Sequence, residues 1–579
     1  MPDLDRHVTR RKRRIAAIGA AALVLASVGL FLVSRGKWSD AIIDSGREWI
    51  VPDALARGDL LYRDVVYWFG PFTPYFHAAF FRIFGSSFST LVLAGIVGSL
   101  GVLAALYFAL RRVTGKSEAA LWTALAIPVL VFMPNAGGSI LGMGYRIWHA
   151  AAFALAAIAV AARPVPARPL LNAMAAGALS ALSGLCRTEW GLASLVAVAT
   201  IYALHSRRTT PTRILIAGSS FLLTFTSVLG AFILAAGWKS VVVDGHVLLT
   251  GLPSETRRFL VTMSGVRDWR AGLAQLVYSS AMWLGTFLLV DLLASMGDRP
   301  RLRRRLPWLA SLFVVIGASA LAGGASGAVI FSAAPLVCLA AIIAGLSRRL
   351  RPKGAALVAF GLLGVLLSYR RPFHIGDGAY VGPPLLFAFV SSAGLLRLLL
   401  ARVRPGGHRH RLRTGLSLAM GSLFVVAFTG RALGYVSDRR VPVAGTAGMI
   451  SARAEVAREI GEIAAEIRRR TSPSDGLVVF PEGEVLNFLS GRRNPLRHKL
   501  YIRGYLTEEN EGEVLEGLRE ARPAAIVIGR RRTSEYGASR FGSDYAVRIG
   551  AWIAGNYVPF LPDGGVRGRM SAFDYYFRR

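Results

Sequence analysis

Cysteine and acid are both scarce in this chain of 579 residues. Its two cysteines, Cys186 and Cys338, both fall inside apolar runs, which excludes a disulfide framework or a cysteine metal site. Asp and Glu number 34 against 68 Lys and Arg, for a formal net charge of +34. Charged residues in total reach only 18%, where a soluble domain carries roughly 25%. Hydrophobic residues make up 53%, and the mean hydropathy is +0.46. Such a chain is not a secreted or cytosolic enzyme and not a disordered scaffold. In a soluble protein the basic excess would point to nucleic acid. Here it sits in short Arg clusters between long apolar runs, where it sets membrane topology, and no nucleic-acid partner is expected.

Apolar runs predict spans at 15–33, 88–110, 119–133, 148–162, 170–186, 189–205, 214–236, 271–296, 307–323, 327–346, 355–370, 380–402 and 415–431. A bilayer core takes about 20 helical residues, so the chain reads as a polytopic α-helical membrane protein with about 13 transmembrane helices. Eleven would result if 307–346 were a re-entrant hairpin. Lys and Arg are roughly three times as dense in the loops that share a side with the N-terminus as in the opposite set. That side is read as cytoplasmic, and an odd number of spans then puts the C-terminal tail outside. The run 15–33 is long for a signal-peptide core and lacks a small-x-small site after it, so it reads as an uncleaved first span. The expected organisation is a membrane domain over 1–431, with a first outer loop at 34–87, and an extracytoplasmic α/β domain over 432–579. The tail holds more than half of the acids, and its apolar stretches 477–480 and 525–529 read as strands between helices.

Outside the tail, acids concentrate in one window of the first outer loop: Asp40, Asp44, Glu48, Asp53, Asp59 and Asp64. Asp44 and Glu48, four apart, would share a helix face. An interfacial helix showing its polar side to water would give the same pattern. The loop continues through Tyr67-Trp68-Phe69-Gly70-Pro71-Phe72-Thr73-Pro74, an aromatic stretch that suits either a headgroup-level belt or a floor for a lipid-linked substrate. Other outer loops bring Arg146 and His149, then Arg187 and Glu189, then Arg370, Arg371 and His374 to the membrane surface. Guanidinium forks match phosphate oxygens, so Arg146, Arg187, Arg370 and Arg371 suit a phosphate, although snorkelling anchors and a local Arg187–Glu189 pair account for them equally. Thr114-Gly115-Lys116-Ser117 lacks the earlier glycine of a P-loop, since position 110 is Leu110. His408-Arg409-His410 has no acidic or cysteine partner nearby. No His-Glu-x-x-His and no Gly-x-Ser-x-Gly occurs.

Asp44-Ser45-Gly46-Arg47-Glu48, Val51-Pro52, Gly58-Asp59-Leu60-Leu61-Tyr62-Arg63-Asp64 and Phe69-Gly70-Pro71-Phe72-Thr73-Pro74-Tyr75 resemble the first outer loop of bacterial GT-C glycosyltransferases. These are the polytopic enzymes related to protein O-mannosyltransferases and aminoarabinose transferases. The tail segments Phe480-Pro481-Glu482-Gly483 and Asn487-Phe488-Leu489-Ser490-Gly491-Arg492 resemble the outer domain of some members. The resemblance implies a GT-C fold in the bacterial inner membrane and transfer of a sugar from a polyprenyl-phosphate donor to a glycan, lipid or protein acceptor on the outer face. Asp44 matches the acidic position just after the first span and is implied as general base. Glu48 is a second catalytic candidate with no firm counterpart. The arginines would hold the donor phosphate, and Arg63, Asp64, Tyr67, His149, Glu189 and His374 would contact substrate. No acid stands next to Asp44, unlike in paired-acid members; the choice of base and any divalent metal stay open, and no metal ligands are assigned. A flippase or transporter of lipid-linked sugars should carry mid-membrane ionisable residues and paired half-helices. An O-antigen polymerase or ligase should carry its large loop late in the membrane domain.

Overall fold

The computed structural model describes residues 2–38, 45–133, 141, 145–164, 167–205, 210–247, 254, 269–295, 333–347, 352–368, 382–402, 407–530, 538–560 and 573–579. Helix α1 (Pro2–Ser34) is followed by two short helices, α2 (Ser45–Ala56) and α3 (Phe72–Phe84). Next come α4 (Phe88–Val113), α5 (Lys116–Ala126), α6 (Tyr145–Ala161), α7 (Pro169–Cys186), α8 (Thr188–His205) and α9 (Thr210–Ala236). The membrane part continues through α10 (Trp269–Ser295), α11 (Ala334–Ser347), α12 (Pro352–Ser368), α13 (Gly382–Arg402) and α14 (Gly407–Ser437). Among the described residues, five helices are long and apolar enough to cross a membrane by length and composition, and six shorter apolar ones accompany them. The expected span 307–323 lies outside the described residues. Each other expected span falls at least in part on a helix.

Local sequence explains the boundaries. Ser87 caps α4 by accepting from Thr90 N at 3.1 Å. Glu118 reaches back to Gly115 N at 3.0 Å and closes the start of α5. The outward faces of α9 and α14 are aliphatic, with Leu223 70% and Leu418 67% exposed. Water would penalise such faces, whereas hydrocarbon does not. Helix α6 packs between α4, α7 and α8, and α8 packs on α12. Lys37 at the end of α1 donates to the carbonyls of Tyr435 (2.7 Å) and Asp438 (3.0 Å) at the end of α14, tying the first and last membrane helices together.

The tail opens with an antiparallel hairpin, β1 (Val441–Gly445) and β2 (Gly448–Ala452). Then come α15 (Ala454–Arg470), β3 (Leu477–Phe480), α16 (Val485–Ser490), α17 (Glu508–Ala521), β4 (Ala525–Gly529), α18 (Val547–Asn556), β5 (Tyr557–Phe560) and β6 (Phe573–Arg578). The sheet order is β3-β4-β6-β5, with β3 and β4 parallel and the other pairs antiparallel. Alternation sorts its two faces. Leu477, Val479, Ala525 and Val527 join Ile460, Ile463 and Leu486 of α15 and α16, in an apolar cluster that continues through Trp49 into the membrane helices. Val478, Phe480 and Ile526 face the other way, onto Val514 and Leu518 of α17 and Ile549 and Ile553 of α18. The tail therefore turns one helical layer toward the membrane part and keeps a second core of its own.

Candidate functional site

The site is built where the loop between α1 and α4 meets the ends of α6, α7 and α8. Asp44, with Asp40, lies outside the described residues; α2 begins one residue later at Ser45. Glu48 sits in the first turn of α2 and is 5% exposed. Arg146 sits in the first turn of α6 and is 8% exposed. Its Nη1 donates to Glu48 Oε1. Two charges withdrawn this far from water are tolerable only as a pair.

Phe69 joins this pair to a second arginine. The Arg146 guanidinium carbon lies 3.9 Å from the centre of the Phe69 ring, and that of Arg187 lies 5.6 Å from it. Arg187 follows directly on α7 and pairs with Glu189 in the first turn of α8 at 2.5 Å. Tyr67 meets Phe69 edge to face at 5.6 Å. Gly70 is what allows the approach. A Cβ there would stand 1.9 Å from the Leu185 carbonyl oxygen, so any side chain would drive the loop off the α7–α8 turn. Sequence distance hides this constellation: the loop residue Phe69 and the ends of α2, α6, α7 and α8 supply it.

One turn beyond Arg146 on α6, His149 Nδ1 lies 3.1 Å from Thr73 Oγ1 at the start of α3. The rings of Phe72 and Phe76 flank the imidazole at 5.8 and 4.9 Å, and His77 lies beyond at 5.8 Å. The polar groups Thr73 and His77 stand in an aromatic run and are both buried, a signal the sequence reading did not use.

Arg63 and Asp64 are placed differently. They bond each other through two contacts of 2.9 and 2.8 Å, and Asp64 Oδ2 also accepts from Leu60 N at 2.8 Å. The Arg63 guanidinium holds the Asp64 carboxyl below its ordinary value. The pair closes the tight turn at 60–65. Arg370, Arg371 and His374 lie outside the described residues. Among the described residues, no group of three or more His, Cys, Asp or Glu side chains could hold a metal ion.

The tail reaches the same region. Glu482 and Glu484 are buried, and Glu484 lies beside α2, where a Cβ on Gly46 would stand 2.6 Å from Val485 N. Lys499 is 3% exposed; its Nζ donates to the carbonyls of Asn494 (2.9 Å) and Leu496. Burial pushes its pKa down to about 8, against the attraction of Asp59. His498 and Arg497 together pull Glu513 down to about 2.

The chain aligns with a solved structure along nearly the full length of both. Apo ArnT from Cupriavidus metallidurans aligns over 97% of this chain and 98% of its own, at 13% identity and a TM-score of 0.55. The chain has the ArnT fold. ArnT bound to undecaprenyl phosphate aligns at 15% identity over 97% and 98% of the two chains, with a TM-score of 0.49. An Archaeoglobus fulgidus oligosaccharyltransferase in complex with zinc and sulfate aligns at 13% identity and a TM-score of 0.48, over 96% of this chain and 73% of its own. No family model matches the chain, and no curated protein matches it by sequence. At this identity the likeness shows the fold alone, that of a multi-pass membrane protein with a small sheet region at its C-terminus.

Proposed function

We propose that this protein is a membrane glycosyltransferase that moves a sugar from a polyprenyl-phosphate donor to an acceptor hydroxyl on the outer face of the bacterial inner membrane. The observation that carries the reading is the convergence of Arg146 and Arg187, from two different helix ends, on the ring of Phe69. A guanidinium has five N–H donors, so a carboxylate partner does not exhaust it. Two such forks at an apolar floor suit a phosphate whose lipid tail remains in the bilayer.

In the proposed reaction Asp44 takes the proton of the acceptor hydroxyl, and that oxygen bonds to the anomeric carbon. The bond between the anomeric carbon and the phosphate oxygen breaks, and polyprenyl phosphate leaves with the electron pair. A single displacement of this kind inverts the anomeric centre. The arginines stabilise charge as it develops on the leaving phosphate, so that group needs no strong acid. Glu48 holds Arg146 in place, and Tyr67, His149 and Glu189 line the region for the sugar and acceptor. Arg370, Arg371 and His374 are proposed to complete the outer-face site from their own loop. ArnT has been crystallised with undecaprenyl phosphate. The test is incubation of purified protein with a panel of polyprenyl-phosphate sugars and candidate acceptors, reading release of polyprenyl phosphate by mass spectrometry. Acceptor-dependent release supports the reading; no release from any donor, by protein that melts cooperatively, counts against it.

A further inference from the structure

Arg497 lies in the tail, yet it holds the first outer loop at several points. Its Nε donates to the Arg63 carbonyl at 2.8 Å, and its Nη2 donates to the Tyr62 carbonyl at 2.9 Å and to Ser240 Oγ at 3.2 Å. Its own carbonyl accepts from Val66 N at 3.0 Å. Nη1 donates to Glu513 Oε1 at 2.7 Å, which anchors the guanidinium on α17. The segment so gripped is unusual. Tyr62 is fully buried and has φ of 71°, a left-handed conformation that a non-glycine residue rarely adopts. Surrounding bonds must therefore impose it. The Tyr62 hydroxyl then donates to the Phe69 carbonyl at 2.7 Å. Phe69 is the residue whose ring meets Arg146 and Arg187. A second contact runs in parallel, since Trp68 packs against Tyr505 of the tail at 4.4 Å.

We propose that Arg497 is a positioning residue for the donor-phosphate site: it fixes the turn at Tyr62 and Arg63, and through the Tyr62 hydroxyl it sets Phe69 against Arg146 and Arg187. This rests on the reading of that arginine pair as the phosphate site. It gives the tail a role in donor binding as well as in covering the outer face. Lysine cannot replace the residue fully, because a single ammonium lacks the planar fork that serves two carbonyls, a hydroxyl and a carboxylate at once.

The experiment is full-length protein in one detergent, titrated with undecaprenyl phosphate, with donor KM and kcat measured beside the Kd. Arg497→Ala should raise the Kd and the donor KM about tenfold and lower kcat severalfold as well, because the arginines it positions also stabilise the leaving phosphate. Arg497→Lys should recover part of the loss. Tyr62→Phe removes only the hydroxyl bond to Phe69 and should raise the Kd severalfold, so it decides the matter if Arg497→Ala does not fold. Wild-type Kd values in Tyr62→Phe and in folded Arg497→Ala would overturn the inference and leave the proposed function standing. A wild-type protein that does not bind undecaprenyl phosphate would overturn both.

Discussion

Glu48 and Arg146 stand 98 positions apart in the chain and pair carboxylate to guanidinium in a setting nearly closed to water. Breaking such a pair from one side leaves an uncompensated buried charge and costs about 3–5 kcal/mol. Glu48→Gln should therefore lower the melting temperature and weaken donor binding. The double variant Glu48→Gln with Arg146→Met should melt above the sum of the two single losses, because neither charge is then stranded. Thermal melts of the four proteins in one detergent check this; strictly additive losses would show that the pair is not coupled.

Asp44→Asn keeps size and much of the hydrogen bonding but cannot accept a proton. Loss of a general base typically costs 10² to 10⁴ in rate. Turnover of the working donor should fall by that factor with the melting temperature unchanged. Near wild-type turnover would remove Asp44 as the base and make Glu48 the next residue to test.

Gly70→Ala puts a methyl group against backbone, not against a side chain that can swing away. The loop must lift off the α7–α8 turn, at a cost of about 1–3 kcal/mol or more. Phe69 should move with it, so undecaprenyl-phosphate binding should weaken together with stability. Gly58→Ala is a useful contrast. No atom lies near that Cβ, and the strain there is only the φ of 113°. It should lose stability without losing affinity for the lipid.

Lys499 gives a pH signature. Its folded pKa of about 8 lies below the usual 10.5, so between these values the unfolded chain holds a proton that the folded one has released. The unfolded state binds more protons there, and its contribution to stability rises as pH climbs through that window. Below about 8 both states are charged and the contribution levels off. Lys499→Met should flatten this rise. Chemical denaturation of both proteins at pH 8 and pH 10 measures it, and identical pH dependence in the two would exclude Lys499 as the source.

The Lys and Arg distribution predicts the orientation. A reporter active only outside the cytoplasm should work when fused after Arg579 and stay silent when fused after Arg351. The reverse result at both positions would place the first loop and its acids on the cytoplasmic side.

Much of the membrane part was legible because lipid imposes a simple rule. A backbone in hydrocarbon must satisfy its own hydrogen bonds, so every long apolar run has to be a helix, and the runs can be counted. The tail was legible where a strand is wholly buried, as in Leu477–Phe480 and Ala525–Gly529, each a short apolar block between helices. The hairpin β1–β2 and the strands β5 and β6 were not read from the sequence. Tyr557–Phe560 and Phe573–Arg578 mix aromatic with polar or charged residues, and their extended form depends on pairing with one another and with β4. The first loop stood out by its acids and aromatics, and Glu48, Arg146, Arg187 and Tyr67 were each named from local composition. Their meeting at Phe69 was not readable, because no local pattern records which helix ends become neighbours. The Arg63–Asp64 pair shows the same limit from the other side, since its two solvent-facing charges bond each other across their own turn. Sequence by itself determined the helical membrane class and the chemical types available in the loops between the apolar runs. Only tertiary structure decided which charges pair, that Gly70 lets the loop touch the α7–α8 turn, and that Arg497 of the tail grips the turn at Tyr62, because these depend on contacts between segments whose separation along the chain carries no information about distance in space.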